Sequence, residues 1–337
     1  MQLTTATTGP TLNLINLCQS YGLIPKTMLC PSCCKPMNLA FRAAIADEYY
    51  WRCGNKIHRP KKKAIECETR LSLRLKTIFA NFRLLIRKFV LLICFWVDGL
   101  ENQVVGRYLQ LTTKTVCKWA EKCRQVVYDH LFSHPEKIGG PGVIVEVDEF
   151  MFGRRKYHQG HRVDGQWVFS GIGANTEKSF FIPVADRKES TLIPIVKDWI
   201  KPGSIIRSDG WAGYQCLQAE GYTHEVVNHS VAFKDPETGA HTNTIESTWR
   251  HVKHLFPQYS RKKRFFHGYL AMYMFYKRVT IENKDHFLCF CQIAGERYLQ
   301  KNHTLSSLLS SSLNNEDDCE DDENSYGSSE DDASPAI

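Results

Sequence analysis

The sequence predicts an α/β domain built on a mixed five-stranded sheet with flanking helices, preceded by a cysteine-rich segment and a helical region. Three observations carry this. Between Gly142 and the region after Thr242, short β-branched and aromatic runs come first and alternate with helical patterns afterwards, in the order βββαβαβα. Cys30-Pro-Ser-Cys33 and Trp51-Arg-Cys53 punctuate the opening, and apolar residues recur at helical spacing between Leu71 and Tyr128. The composition divides accordingly at residues 1–68, 69–135, 136–295 and 303–337.

Each element has a local cause. The Gly-Gly-Pro-Gly breaker before Val143 releases a strand over Gly142–Phe152, with Asp148 inside it. Gln166–Gly173 and Ser179–Val184 are the next two strands, separated by the polar turn Ala174–Lys178. Thr191–Ile200 has helical spacing and stops at Pro202-Gly203. Ser204–Arg207 then reads as a short buried strand that delivers Asp209 at its C-terminal end. A helix over Trp211–Ala219, a strand over Thr223–Val227 and a long helix starting near Thr242 or Asn243, containing Glu246, complete the pattern.

Upstream, Leu71–Val97 reads as one long apolar helix or two shorter ones. Glu101–Gln110, a turn at Leu111–Thr113 and Thr115 to about Tyr128 follow as a helical pair. The last segment is rich in Ser, Asn, Asp and Glu with few apolar residues, a composition that cannot offset the entropy of ordering. It holds ten acidic and no basic residues after Lys301, so the remainder carries 43 basic against 26 acidic side chains, a net charge of +17 rather than the +7 of the whole chain. Such a field attracts polyanions, and nucleic acid is the first partner it suggests.

Thirteen cysteines, an odd number and several within apolar runs (Cys94, Cys289), argue against a disulfide scaffold and fit a reducing compartment. Met1–Pro10 shows no secretory pattern. The longest apolar run, Phe89–Val97, falls far short of the roughly 20 residues a membrane span needs, so no membrane partner is expected.

Asp148 lies within the first strand, Asp209 just after the fourth and Glu246 on the last helix, and strand ends in such sheets border the usual active-site crevice. Carboxylates without His or Cys form a hard oxygen site suited to Mg2+ or Mn2+. Two such ions can activate an attacking oxygen and stabilise a leaving oxygen of a phosphodiester. Glu146 shares the strand face of Asp148 and Glu149 the opposite one, and both read as solvated or paired residues. Trp249, Arg250 and Lys253 share the helix face of Glu246; the two cations are placed to meet phosphates, a plain Glu246–Arg250 ion pair being the alternative, and Trp249 reads as a core anchor.

The strings Val145-Glu-Val-Asp-Glu-Phe150, Arg207-Ser-Asp-Gly-Trp-Ala-Gly-Tyr214 and His241-Thr-Asn-Thr-Ile-Glu-Ser-Thr-Trp249 closely resemble those of DDE transposases of the Merlin superfamily and their bacterial insertion-sequence relatives. The resemblance runs from Val143 to about Val279, and its most specific part is Asn243, Glu246 and Trp249. It implies a ribonuclease-H-like catalytic domain, with Asp148, Asp209 and Glu246 as the metal-holding triad and Asn228, His229, Asn243 and Trp249 in supporting roles. It also implies metal-dependent cleavage and strand transfer on double-stranded DNA, both terminal inverted repeats and target, by a homo-oligomer. Such an enzyme works in the nucleus of a eukaryote or otherwise inside the cell on DNA. A domesticated descendant that binds DNA without transposing, and a nuclease of the same fold, are the competing readings.

Cys30, Cys33 and Cys53 have the spacing of a zinc ribbon, a structural Zn2+ site. The family shows a second cysteine soon after the position of Cys53, and this chain does not. His58 is taken as the fourth ligand, with Cys67 its rival and Cys34 an alternative to Cys33. If the helical pair is a helix-turn-helix, its second helix presents Lys114 and Lys118, with Thr113 and Lys122, to DNA. Arg154, Arg155 and Lys156, followed by Tyr157 and His158, form a basic loop after the first strand that is suited to a DNA backbone. Lys61–Lys63 reads as a nuclear import signal or a phosphate contact.

Overall fold

The computed structural model describes residues 9–59, 62–80, 82–152, 165–209, 211–227, 243–256 and 263–298. A first helix, α1 (Thr11–Ser20), buries Leu14, Ile15 and Cys18 and is an element the sequence reading does not anticipate. Next comes a small three-stranded antiparallel sheet, β1 (Asn38–Phe41), β2 (Tyr49–Arg52) and β5 (Arg70–Ser72), in the order β1-β2-β5. Strands β3 (Lys56–Arg59) and β4 (Lys62–Glu66) form a separate hairpin.

Leu71 pairs with Trp51 in this sheet, so the helix expected from Leu71 starts only at Ile86. The apolar spacing of Leu73, Ile78 and Phe79 serves a compact series of turns, in which Lys76 takes a positive φ of 60°. The helices α2 (Ile86–Val97), α3 (Asn102–Leu109) and α4 (Thr113–Ser133) follow. Between α3 and α4 the chain turns at Gln110, left-handed with φ 53°, and Thr112 caps α4 by accepting from Thr115 N.

The large sheet has β6 (Ile144–Phe152) at its centre, with β7 (Gln166–Gly173) and β8 (Ser179–Val184) antiparallel on one side. On the other side β9 (Ile205–Ser208) and β10 (Thr223–Val226) run parallel, giving the order β10-β9-β6-β7-β8. The mixed five-stranded sheet is the one the element order predicts. α5 (Glu189–Trp199) covers one face, where Phe180 meets Trp199. α6 (Asn243–Leu255) and α7 (Phe266–Ile281) cover the other through Trp249 and Tyr273 on Phe181. The helix expected over Trp211–Ala219 is only a 3-10 turn, Ala212–Tyr214, because the Trp211 indole is committed to the carbonyl of Arg187 and Gly213 packs against that ring.

The helical region and the end of the described chain share one core. Arg124 on α4 stacks on Tyr269 of α7, and the Tyr276 hydroxyl donates to the Trp96 carbonyl at 2.8 Å. A last helix, α8 (286–298), buries Phe290 against Trp96, and Gly295 lets it cross the backbone of Gly22, where an added Cβ would lie 2.5 Å from the carbonyl oxygen.

Gly171 faces Phe180 across β7 and β8, and a Cβ there would lie 2.5 Å from the ring. Gly171→Ala is expected to lower the unfolding free energy by about 1–3 kcal/mol through forced repacking, measured by urea denaturation against the unsubstituted chain.

Candidate metal and nucleic-acid site

Two side chains of β6 reach α6. Glu146, fully buried, accepts the backbone N–H of Ile245 at 3.0 Å, placing a carboxylate at the positive end of the helix. Two residues along the same face, Asp148 Oδ2 accepts the indole N–H of Trp249 at 2.8 Å. These bonds fix the register of α6 on β6 and with it the position of Glu246, whose side chain is exposed one turn before Arg250.

Asp209 arrives from the neighbouring strand. β6 and β9 run parallel with Glu146 opposite Arg207, and two further residues bring Asp209 abreast of Asp148, with strands about 4.8 Å apart. The Ser208 hydroxyl donates to the Asp209 carbonyl at 2.7 Å and lies 2.9 Å from His224 Nε2, tying this strand end to β10. Ser170, small and opposite Asp148, donates to the Asp148 carbonyl at 3.1 Å.

The carboxylates feel one another. Burial pushes the Asp148 carboxyl up to about 6; the Trp249 bond opposes this, and the charges of Asp209 and Glu246 add to it. Glu149 is pushed up to about 8 by burial and then by Asp209 and Asp148, with Arg187 pulling the other way. Neither Glu146 nor Glu149 is a solvated residue. Glu146 is a buried helix cap, and Oε1 of Glu149 is buried without a hydrogen-bond partner among the described residues. Carboxylates that repel in a partly desolvated space are a donor set that a hard divalent cation relieves. Asp148, Asp209 and Glu246 have the chemistry to hold Mg2+ or Mn2+.

Residues not singled out from sequence complete this end of the sheet. Arg187, in the loop after β8, lies between Trp167 and Trp211, its guanidinium carbon 4.3 and 4.2 Å from the two ring centroids. The Trp211 N–H in turn donates to the Arg187 carbonyl at 3.0 Å. The stack joins β7, the β8–α5 loop and the chain just after Asp209, and it sets a cation beside Glu149. No spacing rule links these residues, which meet only in the folded chain.

On α6, Lys253 Nζ sits 3.6 Å from the Phe150 ring centroid, near enough to Asp148 to feel its charge, and Arg250 is exposed. Trp249 is 2% exposed, packed on Phe150 and Phe181. Lys114 and Lys118 are exposed on α4. Lys122 is spent elsewhere: it donates to the Ile78 carbonyl at 2.8 Å and covers the Phe82 ring, and burial brings it down to about 8. Arg154, Arg155, Lys156, Asn228 and His229 lie outside the described residues, as does the side chain of Asn243.

A second cluster lies in the small N-terminal sheet. Sγ atoms of Cys30, Cys33, Cys53 and Cys67 all fall within 4.8 Å of one another, with Cys30–Cys67 and Cys33–Cys53 each at 3.5 Å. Four thiolates about 2.3 Å from one zinc ion are about 3.8 Å apart, so the set fits. Burial opposes the Cys30 thiolate, yet hydrogen bonds from Thr69, Ser32 and Cys33 outweigh it and bring the thiol down to about 6. The Asn55 amide donates to Cys53 Sγ at 3.2 Å and helps lower that thiol too. Cys67, the rival that the sequence offers to His58 for the fourth position, completes this cluster among the described residues, its backbone N–H donating to the Asn55 carbonyl at 2.8 Å. The His58 side chain lies outside the described residues. Cys34, exposed, is not part of it.

An antiparallel trio followed by two parallel strands, with acidic residues at the central strand and its neighbour's end, defines a ribonuclease-H-like domain. Residues 139–277 match the family model of the ISXO2-like transposase domain. This stretch is therefore similar to a DDE transposase domain of insertion-sequence type.

An uncharacterized transposase-like protein of Haemophilus influenzae is 32% identical over 76 residues, which are 23% of this chain and 60% of that protein. The chain thus spans less than two thirds of that curated relative. Two solved structures are also similar at 12% identity. One is the HTLV-2 integrase catalytic core domain in complex with magnesium, with a TM-score of 0.23 over 36% of this chain and 72% of that one. The other is a simian T-cell lymphotropic virus intasome in complex with PP2A regulatory subunit B56 gamma, with a TM-score of 0.28 over 54% of this chain and 66% of that one. Among the described residues, no helix is long and apolar enough to cross a membrane.

Two outcomes are expected. Cys67→Ser should lower zinc content per chain as far as Cys30→Ser does, whereas His58→Ala should leave it unchanged; metal analysis of the purified full chain decides between the ligand sets. Because the folded chain holds the Asp148 and Glu149 protons more tightly than the unfolded chain, stability without divalent metal should fall as pH rises from about 4.5 to about 8. Glu149→Gln should flatten that fall in thermal melts taken across the same range.

Proposed function

We propose that the chain is a DNA transposase that nicks the ends of its element and joins them to target DNA. What supports this reading is that Asp148 feels the charges of Asp209 and Glu246 at one end of the large sheet, within the residues 139–277 that match the transposase domain model. Asp148, Asp209 and Glu246 would hold two Mg2+ ions, which supply Lewis-acid activation of the attacking oxygen and stabilisation of the leaving oxygen.

The protein's own residues set the geometry. Trp249 orients one oxygen of Asp148. Glu146 holds the start of α6 so that Glu246 returns to the same place each time. Arg250 and Lys253, on the same helix face as Glu246, meet phosphate oxygens flanking the scissile bond. Water attacks in the first step and a 3′ hydroxyl in the second, both as in-line displacements at phosphorus. No side-chain nucleophile is required.

The cysteine cluster is a structural zinc site that steadies a segment too small for a core of its own. In this reading α3 and α4 act as a helix-turn-helix, with Lys114 and Lys118 facing the terminal repeats of duplex DNA. Arg154, Arg155 and Lys156 are further backbone contacts of the same reading. Bringing two ends together calls for a homo-oligomer. In a eukaryotic host the enzyme is a Merlin-type transposase acting in the nucleus.

Asp148→Ala, Asp209→Ala and Glu246→Ala are each expected to abolish Mg2+-dependent cleavage and joining of cognate ends while leaving duplex binding intact. Wild-type cleavage by any one variant removes that residue from the triad. Cleavage without joining by the unsubstituted chain would make the enzyme a nuclease.

A further inference from the structure

A groove of about 480 Å³ opens across the small N-terminal sheet, between β2 and β5 on one side and the segment of Phe82 and Arg83 on the other. Its charged lining is lopsided. Arg42, Arg70 and Arg83 are exposed, and none of them pairs with a carboxylate among the described residues. Asp47, the acid in the lining, is already taken: Arg74 donates to its two oxygens at 2.5 and 2.6 Å.

Arg74 does more than neutralise Asp47. Its remaining nitrogen donates to the carbonyl of Phe82 at 2.5 Å, so one largely buried guanidinium pins the 42–49 loop to the opposite wall. The Phe82 ring is held in turn by Trp119, 3.9 Å between centroids, and by Lys122 at 4.2 Å, both on α4. The groove is therefore shaped before any ligand arrives, and little ordering remains to oppose binding.

We propose that this groove binds the phosphodiester backbone of DNA, at a site separate from the sheet carboxylates and from Lys114 and Lys118 on α4. Three unpaired guanidiniums spread over one cleft match a chain of phosphates, since each fork takes a separate phosphate through paired N–H donors. Tyr49 and Tyr50 line the same cleft, and Tyr50, on the strand face shared with Arg70, adds a hydroxyl donor and a ring to it. A small anion would engage one of these groups and leave the others unused. The zinc cluster supports the floor, because Trp51 and Cys53 continue the strand that carries both tyrosines. This site rests on the reading of the chain as a DNA-handling enzyme.

The test uses the full chain, a fluorescent random-sequence duplex and a single strand of the same length, with affinity followed by anisotropy across a series of salt concentrations. Arg42→Gln, Arg70→Gln and Arg83→Gln combined should weaken binding about tenfold or more at low salt and reduce the dependence of log affinity on log salt by about two to three, the number of phosphates no longer met. The matching triple Lys variant should keep most of that dependence. The duplex and single-strand arms show which form the groove prefers.

Zinc content equal to that of the unsubstituted chain confirms that the variants are folded. Independently of any variant, photocrosslinking to iodouracil-substituted DNA should place adducts on the peptide holding Tyr49 and Tyr50. Unsubstituted affinity and salt dependence in the Gln variant, with no adduct on that peptide, overturns the groove while leaving the transposase reading in place. Failure of the unsubstituted chain to bind either DNA overturns both.

Discussion

Two hydrogen bonds between β6 and α6 govern the large domain. Glu146 takes the N–H of Ile245, and Asp148 takes that of Trp249. Each satisfies a buried carboxylate that would otherwise be costly to desolvate. Each also fixes where a helix remote in sequence lands on the sheet. The aromatic layer of Phe150, Phe152, Phe181 and Phe256 fills the remaining space around Trp249 and gives the two bonds a low-dielectric setting. Loss of either bond would leave Glu246 attached to the chain but no longer registered to the other acids.

What was legible in the sequence follows from how local each cause is. The strands β6 to β10 announce themselves through β-branched runs and Gly or Pro breakers, and their bounds fall within a residue or two of expectation. Elements set by distant partners were not legible. Leu71 has helical spacing with its neighbours, but Trp51 draws it into a strand. Trp211 begins a plausible helix, yet its indole is held by Arg187. Glu149 looks like a surface acid on the face away from Asp148, and only the closeness of Asp209 and Arg187 reveals its place in the cluster. His58 is nearer to Cys53 along the chain and was preferred over Cys67, but the fold sets Cys67 Sγ among those of Cys30, Cys33 and Cys53.

The domains legible by composition are less separate in space. α4 packs on α7, and α8 returns to α1 and α2 through Phe287 on Tyr21 and Phe290 on Trp96. The helical region therefore takes part of its core from residues some two hundred positions later, and the two ends of the described chain close on each other. Tyr273 of α7 and Trp249 of α6 both pack on Phe181 of β8.

The stack of Trp167, Arg187 and Trp211 has a practical side. Three of the seven tryptophans, these two and Trp249, touch the carboxylate end of the sheet through a cation or a direct N–H bond. Indole emission is sensitive to neighbouring charge, so the site carries its own optical reporter. On the proposed reading, a cation arriving among the acids, or a proton leaving them, would change the intrinsic fluorescence of the protein, so that an unlabelled chain would suffice to follow it.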